Sequence, residues 1–247
     1  MNEQQEDSFI SHLVELRDRL LRAVVAVVVV FVCLMPWAGD IYDILAHPMM
    51  TALPEGTKMI ATGVVTPFFV PMKVTLLVAF VIALPFVLYQ AWCFIAPGLY
   101  AHEKRLGLPL VVGSTVLFLA GMAFCYFFVF GTVFKFIAQF APKSITPAPD
   151  IEQYLAFVMS MFLAFGITFE VPVIVIVLVK LGIVDVAKLK EARPYVIVGA
   201  FVIAAVVTPP DVVSQLMLAV PMCLLYELGI FLSRFVTKTR ADEAVSS

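Results

Sequence analysis

The sequence predicts an all-α polytopic membrane protein, and three observations carry that prediction. Hydrophobic residues make up 62% of the 247-residue chain and charged residues only 14%, with a mean hydropathy of +1.04. A water-soluble surface of that size needs more charge, so the solvent is largely lipid. Apolar runs long enough to cross a bilayer recur along the chain, each bounded by proline, glycine or charged residues. The basic residues are also segregated: with six spans, 12 of the 16 Lys and Arg residues fall to one side, which the positive-inside rule makes the cytoplasm. Both termini are then cytoplasmic, in a multi-pass membrane protein.

The elements follow in order within one membrane domain, 1–247. Residues 8–22 read as an interfacial amphipathic helix. Phe9, Leu13, Leu16 and Leu20 form its apolar stripe, and Glu15 faces Arg19 and Asp18 faces Arg22 at i, i+4 spacing. The first span covers about 20–37. No small-residue cleavage site follows it, so the run is expected to stay in the protein. Residues 38–71 form an external cap that contains a short helix and is broken repeatedly by Pro48, Pro54, Pro67 and Pro71, with Phe68 among them. Spans at about 72–94, with Pro85 inside, and 108–136 flank a central connector. After a Pro- and Ser-rich external loop, the fourth span covers 151–180. The fifth, 194–207, is short for a crossing, and a tight turn at Thr208-Pro-Pro-Asp211 leads into the sixth, 212–232. A pair of short spans implies local bilayer thinning or an oblique seat. Residues 233–247 are a cytoplasmic tail.

Composition and spacing exclude several functions. A net charge of -2 argues against nucleic acid, which needs a concentrated cationic face. The histidines, His12, His47 and His102, lie on separate segments and give no HExxH metal site, and neither a G-x-S-x-G elbow nor a P-loop is present. The four cysteines lie in apolar runs without a CxxC pair and read as small hydrophobes packed in helices. No enzyme activity, metal or cofactor is signalled. No internal repeat is found, which disfavours an inverted-repeat transporter.

Polar residues in unusual places are the candidates for function. The connector Phe94-Ile-Ala-Pro-Gly-Leu-Tyr-Ala-His-Glu-Lys-Arg105 carries an aromatic residue, a Pro-Gly breaker and Glu103 within a basic patch. Glu103 is either a surface ion pair or a receptor for a cationic ligand, with Phe94 as its aromatic seat. A carboxylate accepts a guanidinium in a two-bonded fork that an ammonium cannot match. Glu15 and Arg17 on the amphipathic helix are further candidates for a binding role. Glu15 and Arg17 otherwise belong to a solvated helix face. Glu170 sits about 15 Å inside the fourth span, counted back from Lys180. A charge there costs about 2.5–3.5 kcal/mol on insertion scales, so it is protonated, paired or facing a wet cavity. Thr208 and Gln215, near the external ends of the last two spans, form a polar patch for a partner helix or bond between helices.

Ser11-His-Leu-Val-Glu-Leu-Arg-Asp-Arg, Thr66-Pro-Phe, Phe94-Ile-Ala-Pro-Gly-Leu, His102-Glu-Lys-Arg, Phe165-Gly-Ile-Thr-Phe-Glu-Val-Pro172, Arg193-Pro-Tyr and Thr208-Pro-Pro-Asp-Val closely resemble the TatC family, core subunits of the twin-arginine protein translocase. The resemblance covers the chain from about residue 8 to 234. It implies a curved, concave six-helix bundle that binds Arg-Arg signal peptides of folded proteins at the cytoplasmic face. Phe94 and Glu103 would meet the peptide, with Glu15, Leu16 and Arg17 contributing. Glu170 would be exposed on the concave face. Single-span TatA- and TatB-type partners would dock near Thr208 and Gln215, and Pro48, Phe68 and Asp211 would belong to the external cap and turn. It further implies transport powered by the proton-motive force and a homo-oligomer within the receptor complex. Two other classes compete. A small-solute or ion transporter using Glu170 as a proton site predicts substrate-coupled proton flux from the chain alone. A purely structural assembly subunit predicts tolerance of changes at Glu103 and Phe94.

Overall fold

The computed structural model describes the backbone of residues 3–52, 59–95, 107–140, 148–208 and 211–246, with most side chains between Leu13 and Arg234. Expectations that fall on Glu103, on the rest of the 96–106 connector, and on Pro54, Pro209 and Pro210 lie outside the described residues. Among the described residues the chain is helical with short connectors and no strand, apart from an isolated bridge between Ile60 and Asp150. Five stretches are long and apolar enough to cross a membrane: Leu13–Thr51, Thr66–Phe94, Leu108–Ile137, Ile151–Lys180 and Val212–Arg234. A sixth apolar helix, Arg193–Val207, has 15 residues, a rise of about 22 Å against a hydrocarbon core of roughly 30 Å.

The chain divides into two compact units. The first comprises Met1–Tyr42 and Pro71–Thr115. Helix α1 (Glu3–Leu34) runs without a break from the charged stretch into the valine-rich one. Lipid offers the backbone no competing hydrogen-bond partner, so the β-branched run stays helical. A 3-10 turn, Met35–Trp37, follows, because Pro36 cannot donate to the ladder. Helix α2 (Ala38–Ala52) begins in this unit, as does α4 (Gly107–Phe124), and α3 (Thr66–Ile95) lies largely within it. Pro67 and Pro71 were expected to break the external segment; instead they sit in the first turns of α3, which therefore starts ahead of residue 72. Pro67 is tolerated because the first N–H groups of a helix have no helical partner, whereas Pro71, one turn on, lies inside the helix. Thr75, fully buried on α3, donates its hydroxyl to the Pro71 carbonyl at 2.8 Å.

The second unit, Asp43–Val70 and Val116–Ser247, is built on α6 (Ile151–Lys180). Asp150 caps that helix, its Oδ1 accepting from the N–H groups of Glu152 and Gln153 at 2.9 and 3.1 Å. Gly182, at φ 70°, ends it: Gly182 donates to the Val179 carbonyl and Ile183 to that of Leu178, a Schellman closure that needs the left-handed conformation. Short α7 (Val186–Glu191) leads to α8 (Arg193–Val207) and α9 (Val212–Ser246), which pack against one another. Helix α9 continues without interruption past residue 232, where the apolar run stops.

Glycines set the closest crossings. A Cβ on Gly121 of α4 would lie 2.5 Å from the Phe165 carbonyl oxygen of α6, and one on Gly166 would collide with the Phe118 ring. Gly229 of α9 sits close over Pro172 and Val175, where a Cβ would come within 3.0 Å of each. In lipid, helix pairing gains little from hydrophobicity, so this small-residue approach is what holds the pair. Val175 of α6 also packs with Leu189, Tyr226 and Ile230, and the contact on the side of α4 and the helix after it is aromatic. A five-residue π turn, Cys125–Val129, follows α4 and precedes α5 (Phe130–Phe140). Phe124, Phe130 and Phe134 stack against Phe165, Phe169, Phe162, Phe157 and Tyr154 with centroids 5.2–6.0 Å apart.

Candidate functional site

The N-terminal part of α1 and the last turns of α3 meet within the first unit. Arg19 donates from Nε and Nη2 to Oε1 of Glu15 at 2.9 and 2.5 Å, the i, i+4 pair expected from sequence. Both side chains are largely shielded, at 22% and 35% exposure. The same guanidinium lies beside the Cys93 thiol, which also lies beside the Tyr89 hydroxyl. Phe94 follows Cys93, half-buried and engaged with the protein. A cleft of about 360 Å³ opens along Val14, Glu15, Asp18, Arg19 and Arg22. Leu16 and Arg17 are exposed. Asp18 pairs with its neighbour Arg17 at 2.9 Å rather than with Arg22, so only one of the two expected i, i+4 pairs forms. The structure thus brings Glu15 close to the end of α3 that carries Phe94. Sequence reading missed Cys93 and Tyr89, since a single cysteine in an apolar run gives no signal of its neighbours.

The second unit holds the other candidates. Glu170 is half-buried on α6 and interacts with the rest of the chain. Its neighbour Phe169 packs on Phe124 with centroids 5.8 Å apart. Thr208, expected in a polar patch, is 5% exposed and donates to the Ala204 carbonyl of its own helix at 2.7 Å. Gln215 is half-buried, and its amide reaches back to the Phe201 carbonyl of α8 at 3.3 Å. Asp211 starts α9, its Oδ1 accepting from the Ser214 N–H at 2.7 Å. Where α7 meets α8 and α9, Tyr226 donates to the Leu189 carbonyl at 2.8 Å and Arg193 pairs with Glu227 at 2.6 Å.

The cap has a device that the sequence did not disclose. Pro48 does not break the segment but lies inside α2. Its missing N–H deprives the Ile44 carbonyl, four residues back, of its helical donor. Tyr126, in the π turn, donates its hydroxyl to that carbonyl at 3.0 Å, and Tyr154 of α6 donates to the next one, Leu45, at 2.8 Å. Phe68, 64% exposed, meets Phe69 edge-on. Asp150 ties the first loop to α6: its Oδ2 accepts from the Thr62 hydroxyl at 2.7 Å and the Thr62 N–H at 3.1 Å. These bonds and those at the helix start, with the Thr62 hydroxyl the largest cause, lower the Asp150 pKa from its ordinary value. Of the cysteines, Cys125 is fully buried, but Cys33 is exposed on α1 rather than packed, at no cost to a small apolar group in lipid.

Among the described residues no group of three or more His, Cys, Asp or Glu side chains is placed to hold a metal ion. The model of the family described as TatC, Sec-independent protein translocase protein, matches residues 11–221. The Sec-independent protein translocase protein TatC of Haemophilus influenzae is 51% identical over 246 residues, covering 100% of this chain and 96% of its own. That of Escherichia coli K12 is 50% identical, covering 95% and 91%. A crystal structure of a twin arginine translocase receptor, TatC, superposes with a TM-score of 0.81 at 40% identity, covering 92% of this chain and 99% of that one. A chain matched over its whole length in sequence and in fold is a multi-pass membrane protein of transport rather than of catalysis, and it belongs to the TatC family of Sec-independent protein translocase proteins.

Proposed function

We propose that this protein is the signal-peptide receptor of a twin-arginine translocase, binding Arg-Arg signal peptides of folded cargo at the cytoplasmic face of the inner membrane. The observation that carries the reading is the meeting of α1 and α3. Glu15, a half-buried carboxylate along a groove of α1, is held by Arg19, which lies beside Cys93 in the last turns of α3, the helix end that carries Phe94. Each charged hydrogen bond from a guanidinium contributes about 1.5–3 kcal/mol, and the fork geometry favours arginine over lysine. One carboxylate cannot satisfy two guanidiniums, so Glu103 would be the first acceptor and Glu15 the second, with Leu16 and Arg17 at the rim. In the same reading the six helices all span, both termini are cytoplasmic, TatA- and TatB-type helices dock at α8 and α9 near Thr208 and Gln215, several copies share the receptor complex, and the proton-motive force drives transport. Glu170, partly wetted, would thin the bilayer together with the short α8.

Binding of a labelled Arg-Arg signal peptide to the purified protein in detergent tests the proposal, with a Lys-Lys peptide and Glu103→Ala as controls. Selective binding that is lost on either change is expected. Equal binding of both peptides, unaffected by Glu103→Ala, would place recognition on another subunit.

A further inference from the structure

We propose that Arg19 is a built-in occupant of the arginine site: in the ligand-free protein its guanidinium holds Glu15, and an arginine of the ligand binds by taking its place. The inference rests on the reading of Glu15 as a ligand acceptor.

The geometry of the pair carries it. Arg19 donates through Nε and Nη2, and both bonds go to Oε1 of Glu15. A fork from an incoming arginine needs both carboxylate oxygens, so it competes for the oxygen that Arg19 already holds. The cleft along Val14, Glu15, Asp18, Arg19 and Arg22 gives the newcomer room on that side of α1. Displacement would not strand Arg19, because its guanidinium already borders Cys93 on α3, with Tyr89 beside it. Arg17 is the contrasting case: 68% exposed, it pairs with the adjacent Asp18 and leaves Glu15 alone.

Exchange of one guanidinium for another cancels most of the electrostatic gain, so binding through Glu15 is modest by construction. It is also selective. A lysine ammonium offers no planar fork and is more strongly hydrated, so it displaces Arg19 poorly. Arg19 therefore weakens binding of every cationic ligand and weakens lysine most, which sharpens the preference for arginine. An ordinary i, i+4 helix pair predicts neither effect.

The test is the dissociation constant of fluorescent Arg-Arg and Lys-Lys peptides for the full-length protein in detergent. Wild type, Arg19→Gln, Arg19→Lys, Lys188→Gln, Glu15→Gln and the Arg19→Gln/Glu15→Gln double variant are compared. Arg19→Gln is expected to tighten the Arg-Arg peptide about fivefold, equivalent to about 1 kcal/mol, and to tighten the Lys-Lys peptide more. Lys188→Gln, which removes the same charge from an exposed position on α7 outside the site, should leave both constants unchanged. The double variant should lose the gain. Arg19→Lys keeps the charge but not the fork, should move in the same direction, and decides the matter if Arg19→Gln does not fold. Unchanged or weaker binding in both Arg19 variants, with Glu15→Gln still weakening the wild type, would overturn the proposal while leaving Glu15 in the site. No effect of Glu15→Gln in either background would overturn both.

Discussion

Replacing Tyr126 by phenylalanine removes one hydroxyl, and the structure says what that hydroxyl replaces. Pro48 leaves the Ile44 carbonyl without its helical donor, and Tyr126 supplies a substitute at 3.0 Å. A net hydrogen bond is worth about 0.5–1.5 kcal/mol, so Tyr126→Phe should lower stability by about 1 kcal/mol, or about 2–4 °C in Tm for a chain of this size. The cost should depend on residue 48. Pro48→Ala restores the backbone N–H, and in that background Tyr126→Phe should cost almost nothing, giving a coupling of about 1 kcal/mol in a double-mutant cycle. Tyr154→Phe is the internal control. Its hydroxyl serves the Leu45 carbonyl at 2.8 Å in a buried place, and the helical donor to Leu45 is Met49 rather than residue 48. Its cost, about 0.5–1.5 kcal/mol for one net hydrogen bond to a carbonyl that keeps its helical donor, should not change with Pro48→Ala. Thermal unfolding of the purified variants in one detergent measures all of these. An equal cost of Tyr126→Phe in the wild-type and Pro48→Ala backgrounds would refute the account of the cap.

Two further outcomes follow from the packing and the loop latch. Gly121→Ala puts a Cβ 2.5 Å from the Phe165 backbone oxygen, which cannot swing aside as a side chain could; a loss of about 1–3 kcal/mol is expected, read as a fall in Tm, and an unchanged Tm would mean that α4 and α6 cross less closely. Asp150 has a lowered folded-state pKa, so its contribution is fully present above the ordinary aspartate value of about 3.9 and is lost as pH falls through the lower folded value. Proteolysis of the first loop should therefore accelerate at acid pH in the wild type, whereas Asp150→Asn should show the faster cleavage already at neutral pH and little further change.

The helices were legible because lipid leaves the backbone one solution, and apolar length alone marks it. What composition misjudged was proline. Pro48 and Pro71, expected to break the cap, lie inside helices just as Pro85, Pro172 and Pro221 do within their expected spans, although proline breaks helices where freed carbonyls meet no other donor. Around Pro48 the replacement donor comes from tyrosines far along the chain, and nothing local to either partner announces the pairing. The site divides in the same way. Glu15 and Arg19 share one helix and their spacing showed the pair, whereas Asp18 took its neighbour over the equally spaced Arg22 because two adjacent exposed side chains meet at little entropic cost. Cys93 joins the group only through the meeting of two helices, which no single stretch encodes.

Helix α1 has one buried side chain between Leu13 and Leu34, Ala23, and only 6% of its most apolar stretch is enclosed by protein. A helix so thinly clad presents most of its apolar length to lipid, so hydrophobic mismatch acts on it directly. Its 32 residues make a lever about 48 Å long, with Glu15 and Arg19 toward its N-terminal half. The fatty-acid composition of the cell then bears on the helix that carries Glu15 and Arg19: longer or shorter acyl chains change the mismatch it meets without touching a residue.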